Sequence, residues 1–132
     1  MKIHLTKKES ETFFDVLDNE SICVVNEYDP DTGRRPSKKR MSAKEILESV
    51  IHKWEATQGF VPGTQFVNLD ETKACELELN DKETKYVREL LTNTAHKLRE
   101  ELSNYPKPYE GVLECLDEAA TRAEGVAVRL SA

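Results

Sequence analysis

The sequence has few cysteines, and none is arranged for metal binding or redox chemistry. Cys23, Cys75 and Cys115 are odd in number and far apart, and no Cys-x-x-Cys pair occurs. A fold held together by a disulfide framework is therefore not expected. We expect reduced and mostly buried thiols, which are typical of a cytoplasmic protein.

Motifs of catalysis are also lacking. The 5 glycines are widely spaced, so there is no Gly-rich phosphate loop, and no Gly-x-Ser-x-Gly occurs. His4, His52 and His96 have no cysteine or second histidine at a zinc-binding spacing, and we interpret them as surface residues. We therefore expect no enzyme activity, no metal and no cofactor. A site assembled from residues distant in sequence is the alternative that this argument leaves open.

Long apolar runs are absent as well. No stretch approaches the length of a membrane span, and residues 1–8 lack the hydrophobic region of a signal peptide. A chain of 132 residues is of the size of one domain. We predict a single domain over 1–132, with a mixed part at 1–79 and a helical hairpin at 80–132, that is cytoplasmic and makes no membrane contact.

Hydrophobic periodicity predicts an α+β fold. Strict or partial alternation of apolar and polar residues predicts a small, mostly antiparallel sheet of three to four strands. Apolar residues that recur at steps of three and four predict helices, and we expect these to cover one face of the sheet. The expected strands are 2–5, 21–28, 34–40 and 74–79. The expected helices are 6–18, 42–58, 81–103 and 110–130, and Trp54 is expected in the core.

Three helix starts carry the residue pairs of a capping box. They are Thr6 with Glu9, Ser42 with Glu45, and Asn80 with Glu83. The segments 2–17 and 76–91 also align without gaps, each running from a strand through a cap into a helix. Because such junctions are generic, this similarity does not by itself predict a duplicated fold.

One short segment is strongly basic in an otherwise acidic chain. Residues 1–66 carry 10 Lys and Arg against 11 Asp and Glu, and residues 67–132 carry 9 against 14, so the halves contribute −1 and −5 to the net charge of −6. Within the first half, five of the seven residues at 34–40 are cationic. The candidate contact residues are Arg34, Arg35, Lys38, Lys39, Arg40 and, in the next helix, Lys44.

We expect these cations to project from a β-hairpin whose turn is residues 29–33. Three interpretations are open: a solvated arm balanced by Glu27, Asp29 and Asp31, a contact for an acidic protein surface, or a contact for nucleic-acid phosphates. No aromatic residue lies among the cations, which disfavours stacking on single strands.

These features favour a non-enzymatic regulatory or inhibitory protein that binds a macromolecular partner. A protein partner is preferred, and a nucleic-acid-binding module using the same basic loop is the alternative. Small size without catalytic motifs is typical of regulators encoded by phages and mobile elements. In the last helix, Ala119, Ala123 and Ala127 are four residues apart. This strip predicts close packing on the preceding helix, with a homodimer through the C-terminal helices as the alternative.

Overall fold

The computed structural model describes residues 1–25, 38–59, 72–104 and 110–131 of the chain, and these form four helices and one two-stranded sheet. In chain order the elements are strand β1 (Lys2–Leu5), helix α1 (Lys7–Val25), helix α2 (Lys38–Thr57), strand β2 (Cys75–Glu78), helix α3 (Asp81–Asn104) and helix α4 (Glu110–Leu130). The α+β class is confirmed in this coarse form, with a helical majority.

Two of the four expected strands, 21–28 and 34–40, are wrong: the parts of them that the structure describes are helical. Residues 21–25 are the end of α1, and residues 38–40 are the start of α2. Extending a helix that has already formed avoids the cost of nucleation, so the β-branched residues at 22, 24 and 25 can continue it despite their strand propensity. Lysine and arginine are themselves good helix formers. The remainder of both strands and the turn at 29–33 lie outside the described residues.

The two remaining strands pair as an antiparallel sheet with one buried face. Ile3 lies opposite Leu77, and both are buried. On the other face His4 lies opposite Glu76, and its Nε2 is 2.9 Å from Glu76 Oε2. This arrangement confirms the alternation expected for both strands.

Two of the three expected capping boxes are present. The Glu9 amide donates to Thr6 Oγ1 at 3.2 Å, and the Thr6 amide donates to Glu9 Oε1 at 3.0 Å. At the start of α3 the Glu83 amide donates to Asn80 Oδ1 at 2.8 Å, and the Asn80 amide donates to Glu83 Oε1 at 2.9 Å. The third box is wrong, because α2 begins at Lys38 and Ser42 lies inside the helix.

Trp54 is at the centre of the core, as expected. Its side chain is 0% exposed and its ring stacks on Phe14 with centroids 4.3 Å apart. The indole nitrogen donates to Ser10 Oγ at 2.9 Å, so the one polar group of the ring is satisfied. The core draws buried side chains from both strands and all four described helices.

The order strand–helix–helix occurs twice, and we call its two occurrences the N-terminal unit (β1, α1 and α2) and the C-terminal unit (β2, α3 and α4). Helix α1 begins at Lys7 and α3 at Asp81, 74 residues later, and the capping residues Thr6 and Asn80 are separated by the same 74 positions. Under this offset Ile3 corresponds to Leu77, and these two residues pair directly in the sheet. A pseudo-twofold axis therefore passes between them.

The pairing register obeys this symmetry throughout. Lys2 lies opposite Glu78, and its symmetry equivalent is the pair of Glu76 and His4. The sequence similarity of the two segments thus coincides with a repeated junction from a strand through a cap into a helix. Strand β2 belongs with α3 and α4 in this arrangement.

Helices α3 and α4 pack against each other along their lengths as an antiparallel hairpin. Ala123 and Ala127 are buried, and Ala119 is half-buried. The expected packing of the last helix on the preceding one is thus present, and the homodimer stays a prediction.

Candidate functional site

The structure places the last three residues of the basic segment on a helix. Lys38, Lys39 and Arg40 form the first turn of α2, and Lys44 lies one turn after Arg40 on the same helix side. Arg34 and Arg35 lie outside the described residues, as does the turn that was expected to project them. The structure thus brings Lys38, Lys39, Arg40 and Lys44 onto one helix end and leaves the other two as predictions.

The first turn of α2 is electrostatically unlike those of α1 and α3. It contains no acidic residue, whereas α1 has Glu9 and α3 has Asp81 and Glu83 in the same place. The backbone N–H groups of a helix give its N-terminus a partial positive charge, which is stabilised by anions and destabilised by cations. Three cations on such a turn therefore create a local excess of positive charge.

The one described side chain of this set, Lys44, has a weak ion-pair partner among the described residues. Lys44 Nζ lies 3.8 Å from Glu48 Oε1, and both side chains are about half exposed. Exposed pairs of this kind contribute roughly 0–1 kcal/mol and are screened by salt. Lys44 is accordingly available to an external anion.

A capping signal for this helix start exists in the sequence but was not used. Ser37 immediately precedes Lys38 and is of the residue type preferred before a first helical turn, and Pro36 before it disfavours an earlier start. The capping-box pair Ser42 and Glu45 instead predicts that the helix begins at residue 42. Reading Ser37 as the cap would have placed Lys38–Arg40 on the helix.

Lys53 and Arg129 were missed entirely by sequence reasoning. Lys53 Nζ contacts Glu83 Oε1 at 2.5 Å and the Glu78 carbonyl oxygen at 3.2 Å. Arg129 donates to the Glu9 carboxylate and, at 2.8 Å, to the His4 carbonyl oxygen. His4 and Glu78 are equivalent under the 74-residue offset, so the two cations make the same contacts in the two units. Neither residue carries a local signal, because each contact joins distant parts of the chain.

A cleft of about 270 Å³ lies where α1, α3 and α4 meet. Thr12 lies in it and accepts a hydrogen bond from Arg122 Nε at 2.8 Å. Asp15 also lines it, and burial together with the negative charge of Asp18 raises the pKa of the Asp15 carboxyl. A second groove, of about 460 Å³, runs between α3 and the end of α4 beside Val128, whose side chain is 70% exposed.

The residues considered for metal or redox chemistry are dispersed. His4, His52 and His96 are exposed, as expected. Within the described ranges no three His, Cys, Asp or Glu side chains are grouped so that they could hold a metal ion. Cys75 is half-buried beside Ser10, but Cys115 is exposed, so the expectation of buried thiols is wrong for Cys115. The side chain of Cys23 lies outside the described part.

No helix of the described ranges is long and apolar enough to cross a membrane. Comparison with protein-family models, curated proteins and solved structures finds no match for this chain.

Proposed function

We propose that the protein is a non-enzymatic regulatory or inhibitory protein that binds an acidic macromolecular partner through residues 34–40 and Lys44. The observation that carries the proposal is the cationic first turn of α2. Lys38, Lys39 and Arg40 occupy a helix end where positive charge is unfavourable, and that turn has no acidic residue of its own. An external anion bound there would reduce the repulsion among the three cations. It would also offset their unfavourable interaction with the positive end of the helix.

An acidic protein surface is the preferred partner. The chain carries a net charge of −6, of which −5 lies in residues 67–132 with 9 Lys and Arg against 14 Asp and Glu. A long nucleic acid extends beyond any local contact and would meet that negative charge, whereas a protein partner can be limited to the basic patch. A short nucleic-acid contact through the same cations is the second candidate.

The decisive variant replaces Arg34, Arg35, Lys38, Lys39 and Arg40 with Gln and keeps Pro36 and Ser37. A matched control removes the same amount of charge elsewhere. It replaces five exposed lysines with Gln: Lys7, Lys8, Lys82, Lys85 and Lys97. Both variants have the same net charge, so a difference between them reports the position of the cations. Circular dichroism and thermal unfolding establish that each variant is folded.

The partner is captured from a lysate of the source organism on the wild-type protein, with and without nuclease, and identified by mass spectrometry. We expect a protein that survives nuclease, is lost with the basic-segment variant and is retained by the control. Equal capture by both variants would refute the proposal. Loss of the partner on nuclease treatment would favour the alternative that the basic segment binds nucleic acid.

Kinetics separates the two candidates independently. With an acidic protein, removing the cations should slow association more than it speeds dissociation, and the effect should shrink as salt rises. With duplex DNA, the slope of log K against log salt should fall by about 0.9 for each phosphate contact removed.

A further inference from the structure

We propose that the surface between the N-terminal and C-terminal units is a complete protein–protein interface, so that each unit binds its complement without a covalent connection. The partner that fits each surface is the complementary unit, including the one carried by a second copy of this chain. This inference concerns a different surface from the basic segment and does not depend on the proposed function.

The first argument is the reciprocity of the contacts. Lys53 of the N-terminal unit reaches the cap carboxylate Glu83 and a strand carbonyl of the C-terminal unit. Arg129 of the C-terminal unit reaches Glu9 and the equivalent strand carbonyl of the N-terminal unit. Helix α1 likewise packs on α4 while α2 packs on α3. An interface in which each half contributes the same contacts to the other is the arrangement of a twofold dimer.

The second argument is that these contacts complete the sheet. The Met1 amino nitrogen donates to the Leu79 carbonyl oxygen at 2.7 Å, and the Leu79 amide donates to the Met1 carbonyl oxygen at 2.8 Å. Hydrogen-bonded pairs alternate along an antiparallel ladder, so the carbonyls of His4 and Glu78 point away from the partner strand. Arg129 and Lys53 bind these outward carbonyls. Each unit thus supplies both a strand and the cation that covers the outer edge of the opposite strand.

The third argument is the charge on the exposed face of the sheet. The N-terminal unit presents Lys2 and His4, and the C-terminal unit presents Glu76 and Glu78. Pairing of unlike units places Lys2 opposite Glu78 and His4 opposite Glu76. Pairing of two C-terminal units in the same register would place glutamates opposite one another, which is destabilising in a sheet. The strand charges therefore favour pairing between unlike units.

The test begins with the full chain, with a protease site inserted between Pro62 and Gly63. After cleavage, native mass spectrometry and gel filtration should show the two fragments as a folded one-to-one complex. Cleaved protein labelled with ¹⁵N is then mixed with unlabelled cleaved protein. We expect hybrid complexes to form, each containing one N-terminal and one C-terminal fragment. Separation or aggregation of the fragments on cleavage would overturn the proposal, as would complexes of two like fragments.

Two sets of substitutions test the contacts. Lys53→Ala combined with Arg129→Ala should speed exchange of the cleaved fragments at least tenfold. Glu76→Lys combined with Glu78→Lys should also speed exchange. Adding Lys2→Glu and His4→Glu in the other fragment should return the exchange rate to that of the wild type. Glu100→Lys with Glu101→Lys, on the exposed side of α3, is the control and should leave exchange unchanged. Exchange that is equal in the wild type and these variants would overturn the assigned contacts.

Discussion

Lys53 and Arg129 perform the same task in the two halves of the protein. Each binds the carboxylate of a capping glutamate and the outward carbonyl of the strand that precedes it. The two sites differ in burial. Glu83 is 2% exposed and also accepts a hydrogen bond from Ser49 Oγ at 2.8 Å, whereas Glu9 is half-buried. The same contacts should therefore contribute more to stability at Glu83.

We expect Glu83→Gln to lower the free energy of unfolding by about 1–3 kcal/mol, because it weakens charged hydrogen bonds to a buried group. The matched variant Glu9→Gln should cost less, since the side chain of Glu9 is 18% exposed and that of Glu83 only 2%. Urea denaturation of both variants at pH 7 measures the two values. Equal costs, or a larger cost at Glu9, would contradict the assigned difference in burial.

The same two glutamates should make stability dependent on pH at the acidic end. Burial alone would raise the pKa of Glu83, but hydrogen bonds from Lys53, the Asn80 amide and Ser49 together hold it below the ordinary value. The pKa of Glu9 is lowered in the same way by Thr6 and Arg129 against the effect of burial. The folded state therefore binds these protons more weakly than the unfolded state.

It follows that the stabilisation is present above the unfolded pKa of about 4.3 and is lost as pH falls through the lowered folded values. Urea denaturation between pH 7 and 3 should show a difference between the wild type and a Glu9→Gln, Glu83→Gln variant that narrows below about pH 4. A difference that stays constant across this range would mean that the two charges do not stabilise the fold.

Trp54 provides the largest expected single-residue effect. Trp54→Ala should cost on the order of 3–5 kcal/mol, because it empties a fully buried site and removes the stack on Phe14. Trp54→Phe keeps a ring against Phe14 but removes the donor to Ser10, and should cost less. Unchanged melting of Trp54→Ala would contradict the position of α2 in the core.

Helix α4 is expected to be required for folding. Among the side chains of α4 that the structure describes, from residue 115 onward, the following are buried in the core: Ala120, Ala123, Val126, Ala127 and Leu130. Deleting residues 110–132 would expose the apolar side of α3 and remove Arg129, and large exposed apolar patches drive association. We expect aggregation or loss of a cooperative melting transition. A monomeric truncation that melts cooperatively would show that α4 is dispensable.

Elements defined by local periodicity could be predicted from the sequence. Strand β1, helices α3 and α4 and two capping boxes follow from patterns within a few residues. The end of α1 could not be predicted in this way, because residues 21–25 have strand propensity and the helix overrides it. Lys53 and Arg129 look like any cations on an exposed helix side, and only the tertiary arrangement gives them a role.

The candidate site was predictable only as a charge cluster. The density of cations at 34–40 is visible in the sequence, but its secondary structure was assigned to a hairpin arm. The first turn of α2 gives Lys38–Arg40 a different setting, in which the helix end adds to their positive potential. The extra positive potential depends on where the helix begins, and helix boundaries are the least certain part of a sequence-based prediction.

Asp15 is the one described carboxylate whose pKa is raised, and its removal should stabilise the protein at neutral pH. Partial burial at the edge of the cleft and the charge of Asp18 both disfavour the ionised form of this exposed residue. A raised pKa in the folded state means that the folded state binds this proton more tightly than the unfolded state does. The ionised Asp15 carboxylate therefore destabilises the fold at pH 7, whereas the protonated carboxyl at low pH does not. Asp15→Asn should raise the melting temperature slightly at pH 7, since solvent screens an exposed charge, and have no effect near about pH 3. Asp18→Asn is the control: it relieves the repulsion but leaves the partial burial of Asp15 unchanged, so its gain should be smaller. A lower melting temperature for Asp15→Asn at pH 7 would mean that the ionised carboxylate contributes favourable interactions in the cleft.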